Sequence, residues 1–407
     1  MPETVGIIAE YNPFHNGHLY QLDRIREKFG PDTVIIAVMS GDYVQRGGPA
    51  ILNKNARAEM ACRSGVNLVL ELPLPWCMLS AEGFATAGVF LLNSLHAASI
   101  AFGTESEDCN MLEKAAEILA LPETTTQIRK VISDAPNVSY AVARVMVLSK
   151  LLNCEPSVLE RPNNILALEY MRAVKENGYL MDCVPIQRTG AGHDSSEGTG
   201  FIRSASQIRS FMSSTEYIPY VPDASKEIIS REIVTGRGIV TERLLEPMVL
   251  SRLRMLSKED YLNIPDASGG AGERLHKAVH DSASLNGIYS AASSKTYTVS
   301  RIRRMTFSAA LGIHADTARE YPPYARVLAA DESGRDYLSR NRKGILIPIV
   351  TKPADAIHLP GTAPEVFRIG AQARDLYVLS YQNEESRIPG SDYRMGPYMH
   401  FSENTPE

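Results

Sequence analysis

Apolar and polar positions alternate along the chain in two rhythms. Short, almost wholly apolar runs recur at residues 4–9, Thr33 to Met39, Leu68 to Leu72 and Ser99 to Phe102. Runs this short and this apolar predict strands covered on both faces. Between them, residues 16–29, 54–64 and 80–94 carry apolar residues at helical spacing, and Gly30-Pro31 and Gly65 supply stop signals. Strands and helices alternating at this spacing predict βαβ units with right-handed crossovers, an α/β fold with a Rossmann-like parallel sheet.

Residues 109–152 predict two or three helices and no strand. A helix from Ile165 to Lys175 follows, with Asn163 or Asn164 as its N-cap, then a fifth strand from Met181 to Ile186. Ser204-Ala205-Ser206-Gln207-Ile208-Arg209 opens a further helix. Near Tyr217-Ile218-Pro219-Tyr220-Val221-Pro222-Asp223 the alternation stops, which predicts a catalytic domain over 1–216 and a mostly helical domain over 217–407. Within the second domain, 223–312 is helical in period. A small α/β piece follows: a strand over Ala325 to Ala330, a helix to Arg340 and a strand over Ile345 to Val350. The polar, Gly/Pro-punctuated stretch from Ser391 is expected to fray.

Composition narrows the class. Of 407 residues, 44% are hydrophobic and 22% charged, the balance of a folded globular protein. The net charge of −5 means that any nucleic-acid site must be a local basic patch. Five scattered cysteines without a C-x-x-C pair fit a reducing compartment. No run approaches the roughly eighteen apolar residues of a membrane span, and the amino end shows no signal-peptide pattern. A cytoplasmic protein without a membrane partner is the expectation.

The chemistry concentrates directly after the first strand, in Ile8-Ala9-Glu10-Tyr11-Asn12-Pro13-Phe14-His15-Asn16-Gly17-His18-Leu19-Tyr20-Gln21. His15 and His18 fall three residues apart at a helix start, on one face, beside free backbone N–H groups and the positive end of the helix dipole. That is an anion site, and two imidazoles beside it point to chemistry on a phosphate. The polar loop Ser40-Gly41-Asp42-Tyr43-Val44-Gln45-Arg46-Gly47-Gly48-Pro49 and the turn at Gly103-Thr104-Glu105 belong to the same carboxyl edge, where parallel sheets bind ligands. Ser40, Gln45, Arg46, Ser204 and Arg209 are candidates for a phosphate or substrate loop. Asp194, Ser195 and Ser196 have weaker claims. His276 and His280, at i, i+4 without a third ligand, read as a solvated helix face, and no metal-binding residue is assigned.

The string His15-Asn16-Gly17-His18 resembles the H-x-G-H signature of the nucleotidyltransferase superfamily. The wording Glu10-Tyr11-Asn12-Pro13-Phe14-His15-Asn16-Gly17-His18 is similar to that of the bacterial tRNA(Met) cytidine acetate ligase family. Val38-Met39-Ser40-Gly41 with Gln45-Arg46-Gly47, Glu71-Leu72-Pro73, Phe102-Gly103-Thr104-Glu105 and Pro162-Asn163-Asn164-Ile165-Leu166 extend the resemblance across the first domain. It implies a nucleotidyltransferase domain that activates acetate with ATP to acetyl-adenylate and pyrophosphate. The acetyl group would then pass to N4 of the wobble cytidine (position 34) of elongator tRNA(Met). It also implies His15 and His18 as catalytic residues, with ATP contacts from Ile8 to Gln21, Gly103, Asn163, Asn164 and Arg188, and with Mg2+ held by the phosphates. The segment Ser204 to Arg209 resembles the superfamily's second phosphate motif without its lysines, which leaves Arg203 and Arg209 as substitutes. For tRNA, Lys295, Arg301, Arg303 and Arg304, which surround Tyr297, form one basic cluster, and Arg340, Arg342 and Lys343 form a second. Two rival readings remain at this level. One is a small-molecule adenylyltransferase acting on a phosphate-bearing cofactor precursor; the other is a non-enzymatic RNA-binding factor.

Overall fold

The computed structural model describes residues 3–106, 109–135, 138–188 and 201–401. β1 (Thr4–Ala9), β2 (Val34–Ser40), β3 (Leu68–Leu72), β4 (Ser99–Thr104) and β5 (Asp182–Gln187) form a parallel array in the order β5-β4-β1-β2-β3. The helices α1 (Asn16–Phe29), α2 (Lys54–Arg63) and α3 (Ala81–Ser94) connect the first four strands. From β1 the chain steps outward to β2 and β3, then returns to lay β4 on the other side of β1. The topological switch therefore lies between β1 and β4, and the crevice beyond their carboxyl ends is where this architecture takes its ligand.

Period-two alternation explains why the strands are apolar throughout. In β2, Val34, Ile36 and Val38 enter one core cluster, while Ile35, Ala37 and Met39 enter the cluster on the opposite face. The insertion between β4 and β5 carries α4 (Cys109–Leu119), α5 (Pro122–Asp134), α6 (Tyr140–Leu152), α7 (Pro156–Glu160) and α8 (Pro162–Glu176). Here α8 starts at Pro162, three residues before the expected start, because proline is well suited to the first helical position. Neither asparagine is its N-cap; Arg161 holds that position with no side-chain cap bond. A short α9 (Ala205–Ser210) is capped by Ser204, whose side chain accepts from Gln207 N.

The second half begins with α10 (Asp223–Val234), α11 (Glu242–Arg254), α12 (Lys258–Leu262), α13 (Ala271–Asp281), α14 (Leu285–Ala292) and α15 (Val299–Leu311). The small α/β piece then joins the first-half sheet. β6 (Ala325–Ala330) pairs antiparallel with β3, and β7 (Ile349–Val350) pairs with Ala325 and Arg326 of β6. One sheet therefore crosses the boundary expected at residue 217. α16 (Glu332–Asn341) follows β6, and α17 (Ala363–Val378), which the hydrophobic pattern did not reveal, packs its buried face on the shared core.

Over residues 391–401 the expectation of a fraying end is overturned. β8 (Tyr398–Met399) pairs with Ala329 and Ala330, and Asp392 is only 1% exposed. Asp392 meets Lys54 and Arg326, each at 2.8 Å, while Lys54 and Arg326 also reach Glu71 at 2.8 and 3.3 Å. These partners come from α2, β3 and β6, so Asp392 in this polar end is a buried ion-pair partner, not a solvated charge. Among the described residues no helix is long and apolar enough to cross a membrane.

Candidate active site

The site is assembled where β1, β2, β4 and β5 end. Arg57 of α2 is fully buried and donates to the carbonyls of Glu10 (2.5 Å), Leu52 (2.9 Å), Ser40 (3.1 Å) and Gly41. One guanidinium thus pins the exits of β1 and β2 together. Asn12 adds a second tie, its side-chain oxygen accepting from Ile51 N at 2.9 Å. Arg57 was not among the residues singled out in the sequence, where a lone cation in a helix reads as a surface charge.

His15 is the N-cap of α1. Its Nδ1 accepts from Gly17 N at 3.0 Å, and Nδ1 of His18 accepts from His15 N at 3.2 Å. The two rings stack with centroids 3.7 Å apart and planes 27° apart. With both Nδ1 atoms accepting backbone N–H groups, each neutral ring carries its proton on Nε2. Burial, then the charges of Arg188 and Arg209, pulls the His15 pKa down to about 3. Burial, then His15 and Arg188, holds His18 well below its ordinary value. The pair is therefore a matched set of neutral Nε2–H donors. Gly17 is required between them, because a Cβ there would lie 2.9 Å from Cε1 of His15.

Two cations, Arg188 and Arg209, act on this pair. Arg188 crosses over Gly103, its Cγ 3.3 Å from where a Cβ would stand, and burial lowers its pKa against the opposing charge of Glu105. Arg209 donates to Asn12 O at 2.9 Å; burial lowers its pKa, Glu10 opposes that shift and Arg46 adds to it. Arg46 itself is exposed at the tip of the loop after β2. In that loop Gln45 N donates to the Glu10 carboxylate at 3.0 Å and its amide reaches Leu79 O at 3.2 Å.

Other residues singled out in the sequence have structural partners. Asn164 is fully buried, with Oδ1 accepting from Glu105 N (2.9 Å) and Nδ2 donating to Val158 O (2.8 Å), so both ends of its amide are used. Asn163 stays half-buried and donates to the Glu105 carboxylate. Asn16 fastens the tip of α1 to the carbonyls of Phe201 (2.9 Å) and Pro219 (3.0 Å). Gln21 donates to Ala101 O at 3.3 Å, while Tyr11 and Phe14 are buried edge to face. Ile8 and Pro13 are buried too, and Ala9, Leu19 and Tyr20 are partly so. Ser40 is fully buried in β2. Arg203 lies over the Tyr220 ring at 5.6 Å, so of the two substitute cations only Arg209 faces the histidines. Asp194, Ser195 and Ser196 lie outside the described residues.

A HIGH Nucleotidyl Transferase family model matches residues 2–391. The chain is 37% identical over 400 residues to the tRNA(Met) cytidine acetate ligase of Thermoanaerobacter sp. (strain X514), covering 96% of this chain and 98% of that protein. The chain belongs to the tRNA(Met) cytidine acetate ligase family. The relative from Acetivibrio thermocellus is 33% identical, with the same coverages of 96% and 98%. The apo crystal structure of Thermotoga maritima TmcAL superposes with a TM-score of 0.91 at 30% identity, covering 98% of this chain and 100% of that one. TmcAL from the same organism bound with alpha-thio ATP superposes at 0.89, with the same identity and coverages.

In this member of the acetate ligase family, most of the arginines expected to contact RNA are tied into the fold. Arg304 is 9% exposed and pairs with Asp266 at 2.7 Å. Arg303 donates to Gly47 O at 3.0 Å and to the Glu242 carboxylate. Arg301 donates to the carbonyls of Asp266 (2.6 Å) and Ser268 (2.9 Å) while lying over Tyr297. They do not form a free basic face; Lys295 alone in that cluster projects into solvent without a partner among the described residues. Arg340 pairs with Asp336 at 3.1 Å, and it sits with the exposed Arg342 and Lys343 at the end of α16. Because β6 runs antiparallel to β3, α16 leaves at the sheet's amino edge, opposite the histidines. His276 is partly buried and His280 exposed, their rings edge to face at 4.7 Å on α13.

Proposed function

We propose that the protein activates acetate with ATP, releasing pyrophosphate, and passes the acetyl group from acetyl-adenylate to N4 of the wobble cytidine of elongator tRNA(Met). The observation that carries this reading is the stacked His15/His18 pair, with both Nδ1 atoms engaged and both Nε2–H groups left to donate, at the β1/β4 switch. The substrate identities follow the relatives' name and the TmcAL complex with alpha-thio ATP.

In this mechanism the ATP phosphates sit against the amino end of α1, between Arg188, Arg209 and Arg46. An acetate oxygen attacks the α-phosphorus in line with the departing pyrophosphate. Charge building on the phosphate oxygens is met by the two Nε2–H donors, which need no reorganisation because backbone N–H groups already hold the rings. No side chain needs to act as a covalent nucleophile. Among the described residues no group of three or more His, Cys, Asp or Glu is positioned to hold a metal ion, so Mg2+ would enter on the phosphates. Asn163 and Gly103 border the nucleotide in this reading, and Asn164 acts through Glu105. The helices of 223–311 flank the same edge through α15 on the loop after β2, and we assign tRNA to that half of the chain.

Incubation with labelled acetate, ATP and tRNA(Met) tests the proposal. Label is expected in the tRNA, with one AMP formed per acetyl group transferred. Consumption of a phosphate-bearing cofactor precursor with no acetate incorporated would select the adenylyltransferase alternative instead.

A further inference from the structure

The acetyl-transfer step needs a group to take a proton from the cytidine amine, and the histidines cannot supply it. Their Nδ1 atoms already accept backbone N–H groups, and their Nε2 atoms carry the protons. Among the described residues, the carboxylates at the same edge of the sheet are the candidates for the base. Asp42 is paired with Arg374 at 3.1 Å, Glu71 with Lys54 at 2.8 Å and Glu82 with Arg172 at 2.5 Å. Glu105 already accepts from the Asn163 amide.

Glu10 differs from the three ion-paired carboxylates, and from Glu105 in being fixed by a backbone N–H and in lying beside Arg209. It is half-buried at the exit of β1 and forms no ion pair among the described residues. Its position is set twice: Arg57 holds its carbonyl at 2.5 Å, and Gln45 N holds Oε1 at 3.0 Å. Oε2 is left without a hydrogen-bond partner among the described residues. The charged and titratable groups facing it are Arg209 from α9, Arg57 from α2 and Tyr170 from α8. A carboxylate beside Arg209 weakens anion binding there by Coulomb repulsion.

We infer that Glu10 is the proton acceptor of acetyl transfer, an inference that rests on the acetate-ligase reading above. As N4 attacks the acetyl carbonyl carbon, the N–C bond forms and the bond from that carbon to the AMP oxygen breaks. The electron pair leaves with AMP, and the N4 proton passes to Oε2 of Glu10 and then to water.

The test is Glu10→Gln in the full chain, which keeps the oxygen that accepts from Gln45 N and removes the base. Single-turnover transfer to tRNA(Met) is expected to fall by about 10²–10³-fold. The loss in transfer should exceed any loss in adenylate formation, so acetyl-adenylate should accumulate. Transfer should be partly restored in Glu10→Asp, which keeps a carboxylate at this position. Transfer at the wild-type rate in Glu10→Gln overturns the role of Glu10 and leaves acetate activation intact. An equal loss of adenylate formation and transfer, or rescue by raised Mg2+, also overturns it, since Glu10 would then hold structure or metal. A wild-type enzyme that forms no acetyl-adenylate overturns the activation reading, and the base with it.

Discussion

At the scale of the residue, His15 does two jobs that substitution can separate. It caps α1 through Nδ1 and offers Nε2–H to the site. Asn is a good N-cap while Ala is not, so His15→Asn should keep about 1 kcal/mol of stability that His15→Ala loses. Both variants, like His18→Ala, should lower acetyl-adenylate formation by about 10²–10³-fold, read as acetate-dependent pyrophosphate release. The titration of His15 gives a second expectation. Its folded pKa of about 3 lies below the ordinary histidine value, so between the two the unfolded chain binds the extra proton. Stability therefore falls as pH drops below about 6.5, by up to about 1.4 kcal/mol per pH unit for this ring. In the ligand-free protein the His15 ring should stay neutral with its proton on Nε2 at pH 5, as imidazole nitrogen NMR would record. A charged ring at that pH would contradict the burial argument. The spacing of the two histidines was legible in the chain, but the tautomer was not, because it depends on which backbone N–H each Nδ1 accepts.

At the scale of the element, the site is held by contacts between segments far apart in sequence. The loop after β2 is pressed against α15: a Cβ on Gly47 would lie 2.4 Å from Arg304 N, and its φ of +76° is in the left-handed region. Gly47→Ala should cost at least about 2 kcal/mol and lower acetyl transfer as well, since Gln45 in that loop anchors Glu10. Arg304→Ala should destabilise by about 1–3 kcal/mol by leaving Asp266 unpaired, measurable as a lower denaturant midpoint. Neutralising Lys295, by contrast, should leave stability unchanged and weaken tRNA binding with a shallower salt dependence. The run Lys295 to Arg304 looked uniform in the sequence. It is divided by helix geometry, since α15 turns Ile302 and Arg304 inward toward partners more than thirty-five residues earlier in the chain.

At the scale of the whole molecule, the buried ion cluster joins both halves. Asp42, Glu71 and Asp392 face Lys54, Arg326 and Arg374, which brings α2, β3, β6, α17 and the segment before β8 to one point. Burial alone would raise the Asp392 carboxyl, but Arg326, Lys54 and Arg374 outweigh it and hold the group well below the ordinary carboxylate range. A carboxyl lowered in this way contributes stability above its unfolded value of about 3.9 and loses it as pH falls toward the folded value. Asp392→Asn should cost about 3–5 kcal/mol, with one cooperative unfolding transition that still includes the catalytic half. Two separate transitions would show that the halves fold independently of this cluster.

The sequence by itself determined the local events. Apolar runs specified β1 to β5, helical spacing specified the helices between them, and the H-x-G-H string marked the phosphate chemistry and its edge. Each of these depends on neighbours within one strand or one helical turn, so it is written in order along the chain. Only the tertiary structure decided that β6, β7 and β8 extend the first-half sheet, that Asp392 in the polar end is buried, and that Arg301, Arg303 and Arg304 are tied to other segments of the fold. It also decided that Arg57 clamps two strand exits and that Glu10 keeps an oxygen free. A charged residue reads the same in sequence whether it meets water or a buried counter-ion. The partner is supplied by a distant segment, and only folding brings the two together.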